Sequence, residues 1–323
     1  MACDGSNLTI APNLNDPETL WKSNQLGATG NHLHLNALYD VLNRTYIDAL
    51  VQTASTYQEH RACIQMIERV TLDKVILIAD RGYENYNIMS HAIEKGWKFL
   101  IRIKDVHSNG IASGLELPQT AVFDMDINLI LTRNQTKSKK QAGYKFMPTV
   151  QTFDYLPIGS KEDYPISFRI ARFKIADDSY ETVITNLDRF CFSAEKLKEL
   201  YHLRWGIETS FRELKYAIGL TSFHAKKVDY IKQEIFARLT LYNYYELITT
   251  YVVEHTENIS KKNQVNFTIA IYICREYLRR KRKLRPPDVV KLIEKHILPI
   301  RPGRRDPRKV KPQASVSFLY RVA

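Results

Sequence analysis

The sequence lacks the long apolar run that a membrane-spanning helix requires. No stretch of about 18 consecutive apolar residues occurs, and the most apolar long segment, 239–253, is interrupted by Asn243 and Glu246. The N-terminus has no basic region followed by an apolar core, so no secretory signal is visible. We therefore expect no membrane association.

Cysteine, glycine and proline are also scarce. The four cysteines lie far apart, without a C-x-x-C pair for zinc or redox chemistry and without the spacing of a secreted disulfide framework. Twelve glycines and twelve prolines are too few for a linker-rich chain. A reduced cytoplasm is the simplest setting for such a protein.

What is present is ordinary globular composition with an uneven charge. The 323 residues are 44% hydrophobic and 25% charged, and this length predicts two or three domains. Lys and Arg number 47 against 35 Asp and Glu, a formal charge of +12. Residues 275–323 hold 16 basic and 4 acidic side chains, so the rest of the chain is neutral. This pattern favours an anionic partner, with nucleic acid first.

Hydrophobic patterning divides the chain into four segments. Residues 1–103 alternate strand and helix patterns, and 104–190 are predominantly strand-like. Residues 191–283 have helical spacing, and 284–323 form a basic tail. The sequence thus predicts an α/β fold with a β-rich insertion and a helical, basic C-terminal extension.

Individual elements follow from the same patterns. Strands are predicted at 32–35, 47–50, 75–79 and 97–102, and helices at 59–70, 84–95, 194–218, 229–254 and 268–282. Met1 to Ser6 would be the end of a further strand running into a turn.

The helix predicted at 194–218 carries a cluster of functional side chains. On a helical wheel they share an arc of about 60° beside the apolar stripe, and they are Tyr201, Arg204, Glu208 and Lys215. The simplest explanation is a surface ion pair between Arg204 and Glu208, one helical turn apart.

Two further carboxylates favour a metal site instead. Asp80 follows an apolar strand, where ligands of α/β sheets bind, and Asp4 follows the short first strand. Together with Glu208 they can hold two divalent metals about 3.5 to 4 Å apart, which suits in-line phosphoryl transfer. Carboxylates favour Mg²⁺, with Mn²⁺ able to substitute.

These residues resemble a known family. Tyr201-x2-Arg204-x3-Glu208-x6-Lys215 is similar to the Y-x2-R-x3-E-x6-K signature of the insertion sequence family four DDE transposases. The resemblance extends over nearly the whole chain, through Asp4-Gly5-Ser6, Asp80-Arg81-Gly82-Tyr83, Arg301-Pro302-Gly303-Arg304 and Lys309-Val310-Lys311-Pro312.

The resemblance implies an RNase H-like catalytic domain and cut-and-paste DNA transposition through a hairpin intermediate. Asp4, Asp80 and Glu208 would be the catalytic, metal-binding triad. The phosphates at the cleaved end would be contacted by Tyr201, Arg204 and Lys215, and Trp205 would hold a flipped base. The partners would be the transposon ends and the target duplex, bound by a homodimer associated with the nucleoid.

Other interpretations stay open. The chain could be a non-catalytic, DNA-binding remnant of a transposase; a two-carboxylate glycosidase fits a basic chain less well. His32 and His34 share a strand face, where a structural role is commoner than a metal pair. Only three residues precede Asp4, so we expect an N-terminally shortened chain that does not transpose alone.

Overall fold

The computed structural model describes residues 1–22, 29–106, 108–255, 263–281 and 285–299, which form a mixed α/β fold. The strands are β1 (Ala2–Ile10), β2 (Leu20–Lys22), β3 (Thr29–Asp40), β4 (Thr45–Thr53), β5 (Ile76–Ala79), β6 (Lys98–Arg102), β7 (Phe123–Thr132), β8 (Lys145–Phe146), β9 (Asp163–Ala176), β10 (Ser179–Thr185), β11 (Asn263–Val265) and β12 (Ile297–Pro299). The helices are α1 (Glu59–Arg69), α2 (Tyr86–Glu94), α3 (Lys137–Gln141), α4 (Ala194–His202), α5 (Trp205–Tyr216), α6 (Val228–His255), α7 (Phe267–Arg279) and α8 (Val289–Glu294).

One large sheet organises the molecule. Its strands lie in the order β2-β3-β1-β5-β6-β10-β9-β7-β8, with β4 paired to β3. Strands β1, β5 and β6 run parallel to one another, whereas β3 is antiparallel to β1 and β10 is antiparallel to β6. The strands of segment 104–190 therefore continue the same sheet beyond β6.

Helices cover both faces of the sheet around β5. Leu77 and Ala79 of β5 pack in the cluster that contains α1 and α2 residues, while Ile78 packs against α4. Burial on both faces explains why this strand is continuously apolar. The order of strands and helices from 29 to 102 agrees with the sequence prediction.

The first strand differs from the prediction. β1 does not end at Asp4 but continues to Ile10, and it pairs with β3 over nine positions, from Ala2 opposite Tyr39 to Ile10 opposite Asn31. The Gly5-Ser6-Asn7 segment resembles a turn in sequence, but pairing with the long strand β3 outweighs this local preference. The expectation of a nearly missing first strand was therefore wrong.

The helix predicted at 194–218 is interrupted. The backbone bonds from Arg204 N to Tyr201 O (3.0 Å) and from Ile207 N to Arg204 O (3.1 Å) skip two residues rather than three, which tightens the turn between α4 and α5. α4 packs with Ile78 of β5, whereas α5 packs in the β1, β3 and β4 cluster. The break lets each half follow a different part of a twisted sheet.

The remaining helices α6 and α7 lie where sequence patterning predicts them. In the described ranges, no helix is both long and apolar enough to cross a membrane. The motifs at 301–304 and 309–312 lie outside the described residues.

Candidate active site

Strand register brings Asp4 and Asp80 together. Cys3 of β1 pairs with Ala79, the last residue of the parallel strand β5, so each aspartate is one residue beyond this pair. Asp4 is on the same strand face as Ala2 and Leu8, which pack in the cluster that includes α5. Asp80 keeps an extended backbone, so it shares a face with Ile78, which packs against α4. Both carboxylates are therefore directed to the face that α4 and α5 cover.

Asp4 is difficult to ionise in this position. Burial raises its pKa to about 6, and the negative charges of Asp80 and Glu208 act in the same direction. The Gly5 N–H, which donates to Asp4 Oδ1 at 2.8 Å, and the Arg204 guanidinium oppose the shift. The Asp4 carboxyl is thus close enough to Asp80 and Glu208 to feel their charges.

Asp80 is fixed by the turn that follows it. Its Oδ1 accepts a hydrogen bond from Gly82 N at 2.8 Å and caps the short 3₁₀ turn Arg81–Tyr83. A Cβ on Gly82 would lie 2.9 Å from the same oxygen, so a side chain there would crowd the carboxylate. The glycine of the Asp80-Arg81-Gly82-Tyr83 motif is therefore needed at this close approach.

Glu208 lies in the first turn of α5 and is paired with Arg204. Their closest atoms, Arg204 Nη2 and Glu208 Oε1, are 2.8 Å apart, and Arg204 Nη1 is 4.0 Å from Asp4 Oδ2. The Arg204 residue is only 5% exposed, so this is not the solvated surface pair that helix spacing alone suggests. One guanidinium bridges two of the three carboxylates.

The donor chemistry suits a hard divalent cation. All three candidate ligands are carboxylates, and the acidic surroundings raise the pKa of Asp4 alongside burial. Within the described ranges, however, no three acidic, histidine or cysteine side chains form a closed metal-binding group. Asp4, Asp80 and Glu208 therefore suit a cation by their chemistry and charge, but their side chains are not gathered around one point, and Arg204 holds the Glu208 carboxylate.

Two polar atoms beside the carboxylates are buried without a hydrogen-bond partner. They are Tyr201 Oη and Arg204 Nε. Burial raises the pKa of Tyr201 to about 12, so its hydroxyl is neutral and can donate. Each can therefore donate to an acceptor that a ligand or an ordered water supplies.

Trp205 lies at the entrance of a neighbouring cavity. Its residue is 49% exposed, and the Arg204 guanidinium carbon is 4.9 Å from its ring centroid. The cavity has a volume of about 690 Å³, and its charged lining is mixed: Arg102 and Lys198 with Glu181, Glu195 and Glu199. An exposed aromatic ring of this kind can stack on a planar base.

Lys215 reaches the same sheet from the C-terminal half of α5. Its Nζ donates to the Asn7 carbonyl oxygen of β1 at 3.1 Å, and burial lowers its pKa. Asn7 is three residues beyond Asp4 along the strand. The fold thus brings all seven sequence-predicted residues to one side of the sheet or its immediate border.

The two strand histidines have structural partners. His34 contacts Asn7 Oδ1 at 2.7 Å and Glu59 Oε1 at 3.0 Å, whereas the His32 ring stacks on Trp21 with centroids 5.2 Å apart. These contacts favour the structural interpretation over a metal pair.

Sequence reasoning missed the cluster that anchors α5. Arg44 Nη2 lies 2.7 Å from Glu246 Oε1 and 3.7 Å from Glu213 Oε2, and the Tyr242 hydroxyl lies within hydrogen-bond distance of both glutamates, at 3.0 Å from Glu213 Oε2 and 3.1 Å from Glu246 Oε1. Glu213 follows Glu208 by five residues on the same helix. Only the polar Glu246 within an apolar segment hinted at this arrangement.

The chain is similar to known proteins. The family described as "Transposase DDE domain" matches residues 1–244. A probable transposase for insertion sequence element IS5377 from Geobacillus stearothermophilus is 23% identical over 178 residues, which are 54% of this chain and 40% of that protein.

A solved structure shares the fold. The piggyBac transposase in a synaptic complex with hairpin DNA superposes with a TM-score of 0.50 at 10% identity, over 94% of this chain and 59% of that one. The chain thus spans about two fifths of the curated relative and three fifths of the structural one.

Proposed function

Because the chain belongs to the transposase DDE domain family, we propose that it is a DNA transposase that breaks and joins strands at Asp4, Asp80 and Glu208. The observation that carries the proposal is the register of β1 and β5, since it places two aspartates side by side facing α4 and α5. A single arginine between Asp4 and Glu208 leaves this site with excess negative charge. Such a site favours a divalent cation.

Mg²⁺ is the proposed metal, with Mn²⁺ as a substitute, and Asp4, Asp80 and Glu208 would hold it. When bound, such ions stabilise the attacking and leaving oxygens of an in-line phosphoryl displacement. The residues that hold the carboxylates in place are the backbone amides of Gly5 and Gly82 and the side chain of Arg204.

The DNA phosphate would be bound by the donors that lack partners. Tyr201 Oη and Arg204 Nε are buried near the carboxylates, and Lys215 of α5 donates to Asn7 on the strand that carries Asp4. Trp205, which lines a cavity beside Tyr201, would stack on an unstacked base next to that phosphate. This arrangement supports cut-and-paste chemistry, in which an end nucleotide leaves the duplex stack.

Finer assignments are part of the proposal. Membership of the insertion sequence family four group rests on the spacing of Tyr201, Arg204, Glu208 and Lys215. The RNase H-like assignment is supported by the strand order β4-β3-β1-β5-β6 with its carboxylates at β1 and β5. A homodimer would act on the transposon ends and the target duplex.

A boundary after residue 103 would separate the catalytic segment from a β-rich insertion at 104–190. The catalytic fold would resume at 191–283, and 284–323 would be a basic DNA-binding tail.

A strand-cleavage assay tests this function. A supercoiled plasmid that carries the element's own ends should be nicked or linearised with Mg²⁺ and remain intact with EDTA. Asp80→Asn and Glu208→Gln should abolish cleavage while DNA binding persists. The alternative, a DNA-binding remnant, predicts binding by the parent chain without cleavage in any metal.

A further inference from the structure

His60, in the first turn of α1, contacts the turn that follows Asp80. Its Nε2 lies 2.5 Å from the carbonyl oxygen of Gly82. A carbonyl oxygen only accepts hydrogen bonds, so Nε2 carries the proton and donates. The other ring nitrogen, Nδ1, lies 3.2 Å from Asn85 Nδ2 and accepts from it. Both nitrogens of a neutral imidazole are thus used.

Gly82 connects this histidine to the carboxylate. Its carbonyl accepts from His60, and its N–H donates to Asp80 Oδ1 at 2.8 Å. Because a Cβ at Gly82 would lie 2.9 Å from Asp80 Oδ1, the glycine backbone lies directly against the carboxylate. Two hydrogen bonds to a single residue therefore link the His60 ring to the orientation of Asp80.

Asn85 ties the same ring to a second helix. Its Oδ1 accepts from Asn87 N at 2.7 Å and caps α2, while its Nδ2 donates to His60. The turn after β5 is consequently held between the first turns of α1 and α2.

We propose that His60 is a positioning residue for the metal site: through Gly82 it fixes the Asp80 carboxylate in the orientation that binds a divalent cation. The inference rests on the proposed role of Asp80 as a metal ligand. It extends that role to a side chain outside the carboxylate cluster. Partners that orient metal ligands typically contribute about 10- to 100-fold to metal affinity.

The surroundings of His60 make the proposal accessible to chemical rescue. The ring lines an open cleft of about 530 Å³, which Gln65 of α1 and Asn87 of α2 also line. Free imidazole can therefore enter the space left by His60→Ala. Gln65 is exposed and lines the same cleft, so Gln65→Ala is a matched neutral control.

The experiment measures Mn²⁺ binding to the full chain without DNA, by electron paramagnetic resonance of the free ion. His60→Ala should weaken Mn²⁺ binding about tenfold, whereas Gln65→Ala should leave it unchanged. His60→Gln, whose amide N–H can donate to Gly82 O, should recover most of the affinity. Imidazole should restore binding to His60→Ala and have no effect on the parent chain.

Folding and function are separated by two further measurements. Near-UV circular dichroism below the unfolding transition identifies any variant that has lost its tertiary structure. If His60→Ala has lost it, His60→Phe, which keeps a ring but cannot donate to Gly82 O, carries the test. Asp80→Asn should abolish Mn²⁺ binding; if it binds like the parent chain, the proposed metal site itself fails. If Asp80→Asn loses binding but a folded variant that cannot donate to Gly82 O, His60→Ala or His60→Phe, binds like the parent, the role of His60 is refuted.

Discussion

The ionisation of Asp4 has opposite effects on folding and on the proposed function. Its carboxyl has a pKa of about 6 in the folded chain, against 3.8 as the reference value, mainly because it is buried. Asp80, Glu208 and a single nearby arginine share its surroundings. A site that accumulates uncompensated negative charge is costly to the fold and useful to a cation.

This conflict predicts a pH-dependent gain of stability in Asp4→Asn. Between pH 3.8 and about 6 the folded state binds more protons than the unfolded state, so the stability of the parent chain falls as pH rises through this window. The variant lacks this loss, and its amide oxygen can still accept from Gly5 N. At pH 7.5 it should be more stable by about 1 to 3 kcal/mol.

Urea denaturation of both proteins from pH 3.5 to 8 measures this difference. The two unfolding free energies should converge near pH 3.8. A difference that is constant across the series would show that Asp4 titrates normally in the folded chain.

Trp205 represents the opposite situation, a large side chain that the fold leaves half exposed. Trp205→Ala should change stability little, since it removes a ring that is 49% exposed and one cation–π contact with Arg204, together worth about 1 kcal/mol. It should slow hairpin formation on a transposon end, because stacking on a base is worth about 1 to 3 kcal/mol. A stability loss above about 3 kcal/mol would instead make Trp205 a core residue.

Among the secondary-structure elements, continuous apolar patterns predict where a strand or helix lies better than they predict where a strand ends. The buried strand 75–79 and the helix at 59–70 are confirmed because apolar spacing is set by the layers on either side. The extension of β1 past Asp4 depends on pairing with β3, a partner more than twenty residues away along the chain. The break before Trp205 depends on the twist of the sheet, which no local pattern encodes.

The position of Gly5 within β1 yields a paired prediction. A Cβ at Gly5 would lie 2.4 Å from His34 Nε2 and 2.9 Å from Glu59 Oε1, and His34 is buried and cannot easily move. Gly5→Ala should therefore cost about 1 to 3 kcal/mol. Gly206, in α5, has no neighbour closer than 3.7 Å to such a Cβ, so Gly206→Ala should be neutral or stabilise by up to about 1 kcal/mol. Equal effects in thermal unfolding would contradict this account of β1.

The charged cluster that anchors α5 yields a further prediction. Arg44→Met leaves Glu213 and Glu246 without their cation, and Glu246 is 1% exposed. The variant should lose about 3 kcal/mol at pH 7.5. Burial raises the pKa of both glutamates, so the loss should shrink as the pH falls and they become neutral.

Arg69 provides the control, because it pairs with Asp48 at 2.9 Å in a more exposed setting. Arg69→Met should cost less than about 1 kcal/mol. Denaturant unfolding at pH 7.5 and pH 5 compares Arg44→Met with Arg69→Met. Similar losses of unfolding free energy in the two variants at both pH values would exclude a special role for the Arg44 cluster.

For the molecule as a whole, the sequence was sufficient to name candidate residues but not to explain how they are held in place. The motif spacing and the apolar strand before Asp80 predicted which side chains converge. The support for them could not be seen: Gly82, His60 and Arg44 act through backbone atoms and through contacts between elements distant in sequence. Such contacts leave no periodic signal.

Charge is distributed unevenly along the chain. The net positive charge is concentrated in 275–323, whereas the candidate site groups Asp4, Asp80 and Glu208 around Arg204. The proposed function therefore predicts that the basic segment attracts DNA while the carboxylates bind a metal cation.

The central claim, that Asp4, Asp80 and Glu208 form one divalent-metal site, is tested most directly by thermal unfolding with and without Mg²⁺. An ion that binds only the folded chain stabilises it in proportion to the logarithm of its concentration. The account predicts that Mg²⁺ raises the Tm of the parent chain and leaves that of Asp80→Asn and Glu208→Gln unchanged, although both variants fold. An equal rise in all three proteins would contradict it.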